Sequence, residues 1–242
     1  MKQLHLVFIS IFTTLCFSVA NAQTADEIVN KHIEAIGGQE KLAGVKSSVL
    51  ESSIQIMGNE FPAITSILYN KGFRSEMELN GQKIVQVCTD KSGWSINPMQ
   101  GVTTATNMPE NQYKATKDAI YLNGGLFNYK ARKAKVELQG QEKIGAVNAY
   151  KIKLTSADSV STTYYIDPAS YNLIQSIKMS DMQGQQVQIL TLYSDYRKTE
   201  SGRSVPFTTE THFGEQFVLT SHLKKIEDNK LVDPAIFEMS SK

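Results

Sequence analysis

Phe73-Arg74-Ser75-Glu76-Met77-Glu78-Leu79 alternates with a period of two, breaks at Asn80-Gly81, and resumes as the extended run Gln82-Lys83-Ile84-Val85. Phe73, Met77 and Leu79 fall on one side; Arg74, Glu76 and Glu78 fall on the other. That is a half-buried antiparallel strand with one wet face. Asn-Gly after such a run is a turn signal.

Working outward, similar strands are readable at 47–57, 61–70, 83–89, 93–97, 134–139, 147–155, 161–167, 171–180, 185–195, 205–212 and 216–226. Turn signals separate them: Met57-Gly58-Asn59, Lys91-Ser92-Gly93, Asp167-Pro168, Gln183-Gly184 and Ser201-Gly202. Many strands at short, regular spacing predict one large antiparallel sheet, curved into a barrel or part-barrel. The pattern is interrupted once, between 107 and 125, where Pro109-Glu110 opens a helix or helical loop that ends at Gly124-Gly125. Asp233-Pro234-Ala235-Ile236-Phe237 reads as a terminal turn.

Before the strands stands one amphipathic helix. Thr24-Ala25-Asp26-Glu27 is a capping box. Ile28, Val29, His32, Ile33 and Ile36 then recur at helical spacing, and Gly37-Gly38 supplies the stop. A shorter helical turn is expected around 40–42.

Earlier still, Lys2 precedes a mostly apolar run from Leu4 to Ala20, and Ala20-Asn21-Ala22 is a small-x-small tripeptide. Together these predict a signal peptide over 1–22, cleaved near Ala22, with the mature protein starting at or near Gln23 and remaining soluble. Ser10, Thr13 and Thr14 interrupt the run, which is short for a membrane span. Cys16 follows the large Leu15, against a lipobox.

Loss of Lys2 from the 25 basic residues leaves them equal in number to the 24 acidic ones. The basic footprint of a nucleic-acid binder is missing. Only Cys88 remains after the leader, so a disulfide framework and a cysteine-based zinc site are both excluded. Residues 23–242 are long enough to bury a core as a single domain.

The same stretch is poor in catalytic groups. Its histidines are His32, on the apolar stripe of the first helix, and His212 and His222, on two neighbouring predicted strands. A metal at the latter pair would need Glu210 or Glu215 as well; a solvated sheet face explains them better. No Gly-x-Ser-x-Gly, His-Glu-x-x-His or phosphate-loop motif occurs. No cofactor is implied, and the expectation is a non-enzyme.

What remains is an apolar pattern. A strongly curved sheet has a concave face that side chains, helices or a ligand must fill. The candidate cavity and lid residues are Ile28, Ile33 and Ile36 on the first helix and Ile54, Ile56, Ile67, Phe73, Met77, Leu79, Trp94, Ile189 and Phe217 on strands. The alternative is an ordinary dry core. The first helix is expected to act as a lid whose stripe meets Phe73 and Met77.

The run Tyr69-Asn70-Lys71-Gly72-Phe73-Arg74-Ser75-Glu76-Met77, then Gln82-Lys83-Ile84-Val85, then Thr89-Asp90-Lys91-Ser92-Gly93-Trp94-Ser95-Ile96-Asn97-Pro98 resembles the LolA-like periplasmic carriers of outer-membrane lipoproteins. Gly37 to Lys46, Tyr165-Ile166-Asp167-Pro168 and Asp195-Tyr196-Arg197 with Gly202 and Pro206 are similar to Bacteroidetes-type envelope proteins of this fold. The resemblance implies a single LolA-like domain over 23–242: a mainly β, open half-barrel of about eleven strands under lid helices. It implies a periplasmic, monomeric carrier or binder of a hydrophobic or acylated ligand, with envelope lipoproteins or membrane receptors as partners and no nucleic acid. The typical carrier fastens its lid with an Arg just before a Pro in a strand-to-strand turn. This chain has Asn70-Lys71-Gly72 there. Two further readings stand beside the carrier: a non-catalytic envelope protein that uses the scaffold to bind another protein, and a hydrolase built on His212 or His222.

Overall fold

The capping box forms as the sequence requires. In the computed structural model, which describes residues 23–182, 185–215 and 217–239, Thr24 Oγ1 accepts from Glu27 N at 3.2 Å and Glu27 Oε2 accepts from Thr24 N at 2.9 Å. These bonds start α1 (Ala25–Ala35), and α2 (Gln39–Gly44) follows the Gly37-Gly38 break. The expected leader over 1–22 and the Gln183-Gly184 turn signal lie outside the described residues.

Thirteen strands follow: β1 (Ser47–Ile56), β2 (Asn59–Leu68), β3 (Gly72–Leu79), β4 (Gln82–Thr89), β5 (Gly93–Asn97), β6 (Val102–Asn107), β7 (Lys135–Ile144), β8 (Val147–Thr155), β9 (Ser161–Ile166), β10 (Leu173–Met182), β11 (Gln185–Lys198), β12 (Ser204–Phe213) and β13 (Phe217–Asp228). They form one antiparallel sheet in the order β6-β5-β4-β3-β2-β1-β13-β12-β11-β10-β9-β8-β7. The count exceeds the expected eleven. The strand missed outright is β6, Val-Thr-Thr-Ala-Thr-Asn, an edge strand with almost no apolar phase to read.

This order explains the architecture. The chain meanders from β1 out to one edge at β6, crosses to the opposite edge at β7, and meanders back until β13 pairs with β1. The sheet stays open because β6 and β7 do not pair with each other. The crossing segment 108–134 therefore bridges the two edges. It contains α3 (Glu110–Thr116) and three 3-10 turns at Lys117–Ile120, Leu122–Gly125 and Tyr129–Arg132, the helical loop of the two forms expected there. Asn123, Gly124, Asn128 and Lys133 adopt positive φ, so no longer helix can form there.

Two cores lie on opposite faces of the sheet. On the concave face, Ile28, Val29, Ile33 and Ile36 of α1 pack with Leu122, Leu126 and Phe127 of the crossing segment and with Ile152, Tyr164 and Ile166 of β8 and β9. On the convex face, the C-terminal residues Val232 and Phe237 pack with Val85, Val87 and Trp94. Trp94 Nε1 donates to the Phe237 carbonyl at 3.0 Å, and Arg74 Nη1 donates to the Ile236 carbonyl at 2.8 Å. The phase read for β3 is thus right, but its outer face is not uniformly wet: Arg74 sits over the Trp94 ring and pairs with Glu76.

At the end of the sheet that carries α1 and α2, a buried ion pair ties strands together. Arg203 Nε and Nη2 reach Asp228 Oδ2 and Oδ1, both at 2.7 Å, and Ser48 Oγ donates to Oδ1 at 2.6 Å. Burial alone would raise the Asp228 carboxyl. The hydrogen bonds from Arg203, Ser201 and Ser48 outweigh it and hold the group below the usual carboxylate range.

Candidate functional site

Strand register fixes which residues share the concave face. Phe73 sits opposite Ile67 and Cys88. Across the sheet, Lys178 sits opposite Thr162 and Ile189, and Tyr193 opposite Thr209. Above this face runs the crossing segment, and between them lies a partly open cleft of two adjoining chambers. The larger, of ≈ 640 Å³, is floored by Phe73, Gln86, Thr162, Lys178, Ile189 and Thr191 and roofed by Ala115, Asp118 and Asn123. The smaller, of ≈ 260 Å³, lies at the helix end against Ile36, Leu42, Leu50, Phe207, Leu223 and Ile226, with Tyr69 and Arg203 at its wall. Asn123, Leu173 and Tyr193 line both. The larger volume falls within the range of small-molecule sites, and the smaller lies just below it.

The two chambers differ in chemistry. The smaller is mainly aliphatic and aromatic. The larger mixes Phe73, Ile84, Ile189 and Phe213 with hydroxyl and amide side chains, the Lys178 ammonium and two carboxylates, Asp118 and Asp181. Lys178 Nζ donates to the Ala115 carbonyl at 3.1 Å. Burial lowers its pKa, against the opposing pull of Asp118. Burial likewise raises the Asp118 carboxyl, against Arg132, Lys178 and Lys117. Cys88, opposite Phe73 and packed against Met108 and Ile120 rather than lining the chamber, is fully buried, and burial pushes its thiol up to about 12, so it is not a thiolate at neutral pH.

The roof is fastened along its length. Asn123 Nδ2 donates to His32 Nε2 at 2.7 Å. Tyr113 Oη donates to the Thr89 carbonyl at 3.1 Å, and Lys117 pairs with Asp158. Where the resemblance places an Arg-Pro fastener, the backbone serves instead: Asn70 N, at φ 65°, donates to the Ile120 carbonyl at 2.9 Å.

The expected cavity residues divide into four groups. Phe73 and Ile189 line the larger chamber and Ile36 the smaller. Ile28 and Ile33 are buried in the roof-side core beside them. Ile54, Ile56, Ile67, Met77, Leu79 and Phe217 are half-buried and fall outside the chamber linings. Trp94 is corrected: it pairs with Val87 and packs in the convex-face core, because the C-terminal segment supplies an apolar cover on that side. The expected meeting of α1 with Phe73 and Met77 is also corrected. The helix packs over β8 and β9, while Phe73 contacts a separate cluster of Cys88, Met108 and Ile120.

Sequence reading missed the polar floor. In β10 the inward phase is Ser176, Lys178 and Ser180, and the outward phase contains Ile177 and Met179. The strand is amphipathic in the inverse sense, and the alternation itself was the available signal. His212 and His222 are on the convex phase: His212 Nε2 lies 2.6 Å from Glu210 Oε1, and His222 Nδ1 lies 3.3 Å from Thr208 Oγ1. Among the described residues, no group of three or more His, Cys, Asp or Glu side chains is placed to hold a metal ion. Nor is any described helix long and apolar enough to cross a membrane.

No protein-family model matches the chain, and no curated protein sequence does. Solved structures do. A LolA superfamily protein from Nitrosomonas europaea is 14% identical, with 91% of this chain and 99% of that chain covered, at a TM-score of 0.58. A DUF1329 family protein from Desulfovibrio piger is 12% identical over 90% and 98%, at 0.57. A domain assigned to outer membrane lipoprotein sorting in Vibrio parahaemolyticus is 9% identical over 87% and 94%, at 0.53. The chain has the LolA-like fold.

Proposed function

We propose that this half-barrel is a non-catalytic, monomeric periplasmic carrier or binder of a lipid-like ligand, an acylated molecule whose chain enters the cleft between sheet and crossing segment. The observation that carries the reading is the cleft itself, a ≈ 640 Å³ chamber adjoining a mainly apolar one of ≈ 260 Å³ at the helix end. Apolar chains bind such a pocket by leaving water, worth about 0.8 kcal/mol for each buried methylene. The LolA-like fold supports the reading, as does the lipoprotein-sorting assignment of the Vibrio domain. Envelope lipoproteins or membrane receptors are the partners it suggests.

The test is mass spectrometry of protein purified from the envelope, with fluorescence titration of delipidated protein by fatty acids. The expected result is co-purifying acyl chains and saturable binding. A protein that arrives empty and binds no amphiphile would leave the scaffold to protein–protein binding instead. Export through the leader is part of the proposal: N-terminal sequencing is expected to find Gln23 first, and an intact Met1 would contradict it.

A further inference from the structure

Resting on that lipid-binding reading, we propose that the ligand's head is anionic, a carboxylate or a phosphate, held at Lys178 in the larger chamber with its tail in the smaller one. Lys178 occupies the centre of the inward phase of β10, with Thr162 beside it on β9, Ile189 beside it on β11, and Ser180 two residues along the same strand. Its Nζ carries three donors. Among the described residues one goes to the Ala115 carbonyl, which leaves two for a ligand. Among the described residues, no carboxylate lies within ion-pair distance of this nitrogen. A half-buried ammonium with no carboxylate in direct contact is costly, and an incoming anion offsets that cost.

The neighbouring cations Arg132 and Lys117 do not compete for this role. Arg132 donates to the Phe127 and Gly125 carbonyls and stacks 4.2 Å from the Tyr121 ring centroid. Lys117 is paired with Asp158. Burial raises the Asp118 carboxyl in the roof, against the pull of Arg132, Lys178 and Lys117, and Asp181 lines the same chamber. The segregation of the two chambers then sets the orientation. An alkyl chain placed among Leu50, Phe207, Leu223 and Ile226 buries its methylenes, and its head is left beside Lys178 and the hydroxyls of Thr162 and Ser180.

The experiment titrates delipidated protein with hexadecanoic acid, hexadecyl phosphate and hexadecanol, with inorganic phosphate and acetate as headgroups lacking a tail. A charge-assisted hydrogen bond is worth roughly tenfold or more in affinity. The acid and the alkyl phosphate are expected to bind at least that much more tightly than the alcohol. In Lys178→Met the difference between acid and alcohol should disappear; in Lys178→Arg it should persist. Thermal melts establish that the variants fold, and the acid-versus-alcohol comparison on the unaltered protein decides the matter without them. Equal binding of acid, phosphate and alcohol would overturn the anionic head and leave the lipid reading standing. Binding of none of the three would overturn both. Binding of inorganic phosphate alone, dependent on Lys178, would overturn the lipid source of the anion.

Discussion

The His32 imidazole is fully buried and held from both sides. A carbonyl can only accept, so the proton sits on Nδ1 and donates to the Tyr171 carbonyl at 2.7 Å; Nε2 is then the acceptor for Asn123 Nδ2. One neutral side chain thereby joins α1, the β9–β10 turn and the roof. Burial lowers its pKa below the ordinary 6.5, outweighing the two hydrogen bonds that pull it up. The unfolded chain therefore takes up a proton on acidification before the folded one does. Stability is intact above about pH 6.5 and falls as the pH drops toward the lowered folded value, by at most about 1.4 kcal/mol per pH unit for this one proton. Urea denaturation at about pH 7.5 and about pH 5 should show this loss, and His32→Gln should reduce it. An identical pH slope in the variant would show that His32 is not the group responsible. Gly72 makes a second point at this scale. A Cβ there would stand 2.5 Å from Phe237 Cγ, so Gly72→Ala must displace the ring at a cost of about 1–3 kcal/mol. Combined with Phe237→Ala, the two losses should add to less than their sum in denaturation experiments, because they share one contact. Simple additivity would mean that the C-terminal segment does not press on β3.

Among the elements, α1 is the roof over β8 and β9, and its stripe was legible because a capping box and a 3.6-residue period coincide. Ile33, buried in that contact, is the position to probe. Ile33→Asp buries an unpaired carboxylate and should cost several kcal/mol, read as a fall in denaturation midpoint; an unchanged midpoint would show that the helix is detachable. The strands were legible for a similar reason, and β3 was read in the correct phase from Phe73, Met77 and Leu79. Where reading failed, the physics was non-local. Trp94 alternates correctly but faces a cover made by residues more than a hundred positions away, which no local period records. The crossing segment breaks into 3-10 turns at Asn123 and Gly124, residues with positive φ inside an otherwise helical pattern. In β10 the assumption that apolar means inward hid Lys178, because a ligand chamber is allowed a polar floor that a dry core is not.

At the scale of the molecule, the topology makes a cleft rather than a closed barrel. Two meanders share the β1–β13 seam, and one crossing segment joins their outer edges, so the space beneath it is not filled by a second sheet. If acyl chains occupy that space, affinity should rise about fourfold per added methylene, the equivalent of about 0.8 kcal/mol, until the helix-end chamber is full, and then level off. The wall of that chamber can be distinguished from the rest of the concave face. Leu223 lines it, whereas Met77 lies on the inward phase of β3 outside both chambers. Leu223→Gln should therefore flatten the chain-length series, and Met77→Gln should leave its slope unchanged. A series of saturated fatty acids titrated into delipidated wild-type and variant proteins measures both slopes. If Met77→Gln flattens the series and Leu223→Gln does not, the chain runs along β3 instead of toward the Arg203–Asp228 end. If the wild-type slope is flat, burial of methylenes is not what drives binding.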